Sequence, residues 1–246
     1  MRILALDSSG LVASVAVVDS SESGEELIAE YTVNYKKTHS QTLLPMLDEV
    51  SKMIELDLST VDAIAVAAGP GSFTGLRIGS ATAKGLGLAL NKPLIHIPTL
   101  EGLAYNLCGS SDVVCPIMDA RRGQVYTGIY RFEDDKLIVL EDQMAISIEE
   151  LGEKLKKYEN KVVFLGDGVP VFKERLTDAI MKDREIAFAP ANVNRQRAAS
   201  VGALAIRYYE AGKIETAAEH QPDYLRVSQA ERERKERLKQ ETDKKG

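Results

Sequence analysis

The sequence predicts an α/β protein built from two successive copies of one unit, β-β-β-α-β-α-β-α. Three observations predict it. Short apolar, β-prone runs alternate with stretches of helical period from residue 2 to residue 212. Asp7 and Asp119 each end the first strand of a half. "AAGPG" (67–71) and "FLGDG" (164–168) each close a strand with glycines just ahead of a helix.

The first half opens on "RILALD" and "ASVAVV", apolar runs joined by a tight "SSG" connection. In "ELIAEYTVNY" the residues Leu27, Ala29, Tyr31, Val33 and Tyr35 alternate, the period of a half-buried strand. The period then changes. Leu43, Leu47, Val50 and Ile54 recur at helical spacing, so "QTLLPMLDEVSKMI" is an amphipathic helix. Thr42 as N-cap puts Pro45 in the first turn, where proline is tolerated. A strand at "AIAVAA", a glycine-bearing helix, a strand at "LIHI" and a helix from Thr99 complete the half.

The second half repeats the order. "VVCPIMD" and "QVYTGIYRF" flank "ARRG", and "KLIVLEDQMA" is the third strand. Ser147, with Glu150 three residues on, writes a capping box for the helix "SIEELGEKLKKYE". "VVFLG", "VPVFKERLTDAIM", "EIAFA" and "RQRAASVGALAIRYYEAG" follow as strand, helix, strand and helix, the last closed by Gly212. The expected lobes are 1–108 and 109–226. Residues 227–246 are mostly charged and have no apolar face, so they read as a solvated tail. Two such units resemble the plan of the actin/sugar-kinase/Hsp70 (ASKHA) superfamily, a plan that does not by itself state an activity.

Composition narrows the classes. Hydrophobic residues make up 44 % of the chain and charged residues 28 %, an ordinary globular balance. No apolar run approaches the ~20 residues of a membrane span. "MRILALDSSG" lacks the design of a signal peptide, so the cytoplasm is the expected location. Cys108 and Cys115 are too few for a disulfide framework or a thiolate zinc site. His39, His96 and His220 lie far apart and form no linear ligand motif. A formal charge of -6 argues against binding nucleic acid unaided.

The glycine-bearing segment "AAGPGSFTGLRIGSATAKGLGLAL" raises two readings. A phosphate loop would need Lys and Ser/Thr after the last glycine, but Leu76 and Arg77 follow Gly75. The spacing of Gly69, Gly71 and Gly75 is one residue too long for a dinucleotide fingerprint. Gly75, Gly79, Ala83 and Gly87 recur four apart and form one stripe on a helix. A stripe without side chains admits another backbone, either the protein's own sheet or another chain.

Other positions have paired readings. Asp7, Ser8, Ser9 and Gly10 sit where the superfamily places its first phosphate loop, or Asp7 caps a turn. Asp119 is its counterpart or the start of a tight turn, and Arg121 and Arg122 form a solvated hairpin tip or contact RNA or phosphate. Gly166, Asp167 and Gly168 approach an adenosine or make a strand-to-helix turn. His39 reads as a capping or surface residue rather than a general base. No nucleophile-base set emerges.

"LALDSS", "HSQTLLPML", "AGPGSFTGLRIGSATAKGLG", "IPTLEGLA" and "DARRGQVYTGIY" together resemble the TsaB (YeaZ) family, with similarity running to "QPDYLR" at 221–226. The resemblance implies a required subunit of the complex that makes N6-threonylcarbamoyladenosine at position 37 of tRNAs reading ANN codons. It implies a heterodimer with the catalytic paralogue TsaD, an ATPase partner TsaE, and tRNA contact only through the complex. TsaD carries a metal-binding H-x-x-x-H on the helix matching "TLEGL", where this chain has Thr99 and Leu103. The resemblance therefore implies a non-catalytic scaffold with no tightly bound cofactor, ATP, Mg²⁺ and metal being used by the partner subunits.

The family's heterodimer packs the first two helices of each protein. The resemblance thus assigns the partner face to Leu43, Met46, Leu47 and Val50 on one helix and Gly75, Leu76, Gly79, Ala83 and Gly87 on the other. On that assignment Gly79→Leu breaks the heterodimer and spares the fold. It leaves Asp7, Ser8, Ser9, Asp119, Gly166, Asp167 and Gly168 as a vestigial nucleotide site. The alternatives are an ATP-dependent sugar-kinase-like enzyme or ATPase of the same fold, and a homodimer through the same helices when the chain is alone.

Overall fold

The computed structural model describes residues 1–35 and 38–226; the expected tail lies outside the described residues. The first sheet contains β1 (Arg2–Asp7), β2 (Ala13–Ser21), β3 (Gly24–Val33), β4 (Ala63–Gly69) and β5 (Leu94–Pro98). Its order is β3-β2-β1-β4-β5, with β1, β2 and β3 antiparallel and β1, β4 and β5 parallel. The second sheet contains β6 (Val113–Asp119), β7 (Gln124–Glu133), β8 (Lys136–Ser147), β9 (Val162–Leu165) and β10 (Ile186–Phe188). Its order, β10-β9-β6-β7-β8, is the first order again once β6 is matched to β1, β7 to β2 and so on. The fold is α/β with the duplicated halves of an ASKHA-type protein.

Strand alternation sorts the core into layers. Leu4, Leu6, Val15, Val17 and Val66 face α1 (His39–Met53) and α2 (Phe73–Leu90). Ile3, Ala5, Ala16, Ala65 and Ala67 face the opposite way, into a core shared with Val114, Met118 and Tyr130 of the second sheet. Cys115, Ile117 and Ile129 turn outward onto α4 (Ile148–Leu155) and α5 (Val169–Arg175), whose line is continued by a π turn at Leu176–Ile180. The sheets divide near residue 108, but the helices do not respect that division. α6 (Ala198–Glu210) packs on β1 and β2, and α3 (Thr99–Ala104) packs on β6 and β7.

The local signals act as their chemistry requires. Ser147 Oγ accepts from Glu150 N at 3.2 Å and Ser147 N donates to Glu150 Oε2 at 2.8 Å, a complete capping box. Gly212, at φ 72°, closes α6 with hydrogen bonds from Gly212 N to Tyr209 O and from Lys213 N to Tyr208 O. One boundary differs. α1 starts at His39 with Thr38 in the cap position, so Thr42 is not the cap and Pro45 lies inside the helix. The reason is tertiary: the His39 ring donates from Nε2 to Gly10 O at 2.7 Å and fixes an extra turn. Pro45 is solvent-exposed, so water can satisfy the carbonyl that it leaves unpaired.

Candidate functional site

The two lobes leave an open cleft of about 610 Å³ between the β1–β2 loop, the start of α2, the β6–β7 turn and the chain after α6. Asp7 ends β1 and is buried. Its Oδ1 accepts from Ser9 N at 2.9 Å and Ser9 Oγ at 2.7 Å, so the carboxylate caps its own turn and does not reach the cleft. Burial pushes the Asp7 carboxyl up to about 6, against the downward pull of the Ser9 bonds. Ser8 donates to Gly75 O at 2.9 Å, and Ser72 N donates to Ser9 O at 2.7 Å. These bonds seat the first loop on the N-terminal turn of α2.

This seating explains the small-residue stripe and corrects its orientation. A Cβ at Gly75 would collide with the Ser8 carbonyl oxygen, and one at Gly79 would lie 2.5 Å from Ser8 Oγ. At Gly87 it would strike the Leu94 side chain, while Ala83 is fully buried. The backbone admitted by the stripe is the chain's own. Leu43, Met46, Leu47, Val50 and Leu76 are likewise buried within the chain. Helical spacing marks a face but does not say which way it points. The outward faces of the same helices carry exposed Leu44 and Met53 on α1, and Arg77, Ala81, Gly85 and Leu88 on α2.

Across the cleft, Asp119 Oδ1 accepts from Arg121 N at 2.8 Å and Oδ2 meets Arg121 Nη1 at 3.1 Å. Arg121, Arg122 and Gly123 all have positive φ, so the hairpin tip is a tight left-handed turn. Asp119 N donates to Asp167 Oδ1 at 3.2 Å. Burial pushes the Asp167 carboxyl above its ordinary range. Gly166 and Gly168 do not line the cleft: Gly168 N donates to Ile117 O at 3.0 Å, and a Cβ at Gly166 would strike that same oxygen. The structure thus brings Ser9, Asp119 and Asp167 to the cleft and holds Asp7, Ser8, Gly166 and Gly168 behind it.

Sequence reasoning missed two parts of this wall. His39 is neither a cap nor a surface residue; it is buried and lines the cleft. The segment Asp223–Arg226 straps the cleft from one lobe to the other. Asp223 N donates to Ala68 O at 2.7 Å, the Tyr224 ring stacks at 4.8 Å on Phe73, and Arg226 Nη1 donates to Ala120 O at 2.5 Å. Gly69, at φ 131°, admits the strap, because a Cβ there would collide with Asp223 O. The signal was the glycine of "AGPG", which spacing alone could not connect to a segment more than a hundred residues away.

On α3, Thr99 and Leu103 are both buried. Thr99 Oγ1 accepts from Gly69 N at 3.0 Å, and Leu103 belongs to the shared core. These positions hold a hydrogen bond and a packing contact.

Duplicated sheets around an interlobe cleft define a two-lobed protein of the ASKHA class. A family model described as TsaD: tRNA N6-adenosine threonylcarbamoyltransferase matches residues 26–234. The chain is 32% identical over 234 residues to the tRNA threonylcarbamoyladenosine biosynthesis protein TsaB of Bacillus subtilis (strain 168), covering 94% of this chain and 96% of that one. It is 29% identical to the protein of the same description from Escherichia coli (strain K12), covering 92% and 95%. Among solved structures, a Pseudomonas aeruginosa protein described as similar to peptidase YEAZ superposes with a TM-score of 0.78 at 27% identity, covering 92% of this chain and 99% of that chain. The chain belongs to the TsaB (YeaZ) family, within the wider group that the TsaD model describes. Among the described residues, no helix is long and apolar enough to cross a membrane.

Proposed function

We propose that this chain serves tRNA threonylcarbamoyladenosine biosynthesis as a non-catalytic subunit that binds a TsaD-type transferase and stabilises its active form. The observation that carries this reading is the occupancy of the α3 positions where the paralogue places its metal-binding histidines. Thr99 is committed to the Gly69 amide and Leu103 to the core, so neither offers a metal ligand. Transfer to the adenosine amine, with ATP, Mg²⁺ and the metal it needs, belongs on this reading to the transferase and a TsaE-type ATPase. A formal charge of -6 supports tRNA contact through the assembly.

The outward faces of α1 and α2 suit such a partner. Leu44, Met53 and Leu88 are 53%, 75% and 72% exposed, and Gly85 has open space where a side chain would stand. Exposed apolar side chains favour burial against a partner, and a glycine on a helix surface allows a second helix to approach closely. The test is sedimentation of the chain with the TsaD paralogue of its own organism, followed by tRNA modification with and without it. A one-to-one species, and modification that requires both, is the expected result. Independent sedimentation would overturn the reading.

A second reading has one observation in its favour: Ser9, Asp119 and Asp167 face the cleft in which an ASKHA kinase or ATPase would hold its nucleotide. Steady ATP turnover by the chain alone would select it.

A further inference from the structure

Three residues distant in sequence meet beside the first sheet. His96 lies on β5. Glu215 follows α6 and is fixed by a two-way backbone bridge, Glu215 N to Leu94 O at 2.9 Å and Leu94 N to Glu215 O at 2.8 Å. His220 is buried five residues on. One ring nitrogen from each histidine and one Glu215 oxygen all lie within 4.8 Å of one another. Both Nδ1 atoms turn to the same atom, Glu215 Oε1, at 2.6 Å from His220 and 3.8 Å from His96.

A second observation singles out His96. Its Nε2 lies 3.0 Å from Asp223 Oδ2 and donates to that carboxylate. When the neutral ring donates this bond from Nε2, its Nδ1 carries the lone pair and faces Glu215 at a distance too long for a hydrogen bond. A carboxylate behind a histidine, with the free nitrogen aimed at another ligand, is the arrangement that orients metal-binding histidines.

We propose that His96, Glu215 and His220 bind one divalent transition metal ion, zinc by preference, with Asp223 orienting His96. Two imidazoles and one carboxylate form a zinc-type donor set and leave a fourth position for water. Zinc requires ligand atoms about 3.3 Å apart, so the His220–Glu215 contact opens by roughly 0.7 Å as the ion replaces the shared proton. The ammonium of Lys84, which donates to His220 O at 2.9 Å, opposes a cation, and the carboxylates of Glu215 and Asp223 offset it. A quarter of the His96 side chain is exposed and provides the entry path. The ion would clasp residues 215–223 to β5 and so steady the strap that carries Tyr224 and Arg226 across the cleft. This departs from the expectation of no tightly held metal, which rested on Thr99 and Leu103 standing at the paralogue's ligand positions and on the linear spacing of the histidines, and it does not rest on the proposed role in tRNA modification.

The test uses the full chain, stripped by chelator, with Cys108→Ser to remove the exposed thiol as a competing ligand. Zinc sulfate is titrated calorimetrically and against a chromogenic chelator, and cobalt is added in parallel for its tetrahedral absorption bands. The expected result is one ion per chain and a zinc-dependent rise in melting temperature. His96→Asn should abolish both, and Asp223→Asn should weaken binding roughly ten-fold. Both positions are partly exposed, so the outcome does not depend on whether a variant of the buried His220 folds. Absence of saturable binding, or equal affinity in His96→Asn, would overturn the site.

Discussion

Asp7 and Asp119 make the same hydrogen bond in the two halves of the molecule, each accepting through Oδ1 from the backbone N–H two residues on, Ser9 and Arg121. The duplication therefore extends to side-chain geometry at the end of the first strand. The two differ in surroundings. Asp7 is sealed beneath α2, whereas Asp119 lines the cleft and pairs with an exposed arginine. One copy is a buried structural turn, and the other faces the space between the lobes.

The burial of Asp7 predicts a pH signature. Its carboxyl is pushed from an ordinary value of 3.8 to about 6, so the folded state holds the proton more tightly than the unfolded chain. Its contribution is most favourable below pH ~4 and is lost as pH rises through ~6, at a cost of at most about 3 kcal/mol. Asp7→Asn keeps an acceptor for Ser9 and removes the buried charge. At pH 7.5 it should stabilise the chain by about 1–3 kcal/mol, with the gain vanishing near pH 4. Urea unfolding of both proteins across that range checks this; a pH-independent difference would show that Asp7 is not the titrating group.

Two glycines on α2 should respond oppositely. A methyl at Gly79 lies 2.5 Å from Ser8 Oγ, while one at Gly85 meets nothing within 4 Å among the described residues. Gly79→Ala is expected to destabilise by about 1–3 kcal/mol through overpacking, and Gly79→Leu to prevent folding. Gly85→Ala should stabilise by up to about 1 kcal/mol, from helix propensity alone. Denaturation midpoints decide it. A well-folded Gly79→Leu would restore the expectation that the stripe faces outward.

The contrast shows what periodicity carries. Signals that act within one turn were legible: the Ser147–Glu150 box, Gly212 in a left-handed cap and the apolar run that forms β1. The duplication was legible too, because each half repeats its own local pattern. Signals that depend on chain closure were not. The stripe of Gly75 and Gly79 had the right spacing and an unreadable direction. The start of α1 is set by Gly10, the strap is set against Gly69 by Asp223, and His96 meets His220 only after β5 pairs with a segment beyond α6.

The start of α6 tests how the halves are tied together. Its cap residue, Arg197, makes no side-chain cap bond. The free amides are taken instead by the other half: Ala198 N donates to Ser14 Oγ at 2.8 Å and Ala199 N to Glu30 Oε1 at 3.1 Å. Glu30 is also paired with the Arg197 guanidinium. Glu30→Ala removes a helix-terminal anion and strands the arginine, for an expected loss of about 2–3 kcal/mol. Glu30→Gln, which keeps the acceptor, should lose less. Equal, negligible losses in urea unfolding would mean that packing alone orients α6.

The outer faces of α1 and α2 carry the prediction most directly tied to function. Leu88 is 72% exposed and stands one helical turn from Gly85, where a second helix could approach closely. A charge placed there must be desolvated on docking but costs the free chain nothing, because Leu88 packs on little. Leu88→Glu should leave the melting temperature within about 1 °C, since the substitution lies on the surface. It should weaken association with the TsaD paralogue by about 2 kcal/mol or more, roughly thirty-fold, if the leucine is an anchor of the interface. Sedimentation of the variant with the paralogue gives the answer. Unchanged affinity for both Leu88→Glu and Met53→Glu would remove this face from the assembly and shift the search for the partner site to the lobe that bears β6–β10.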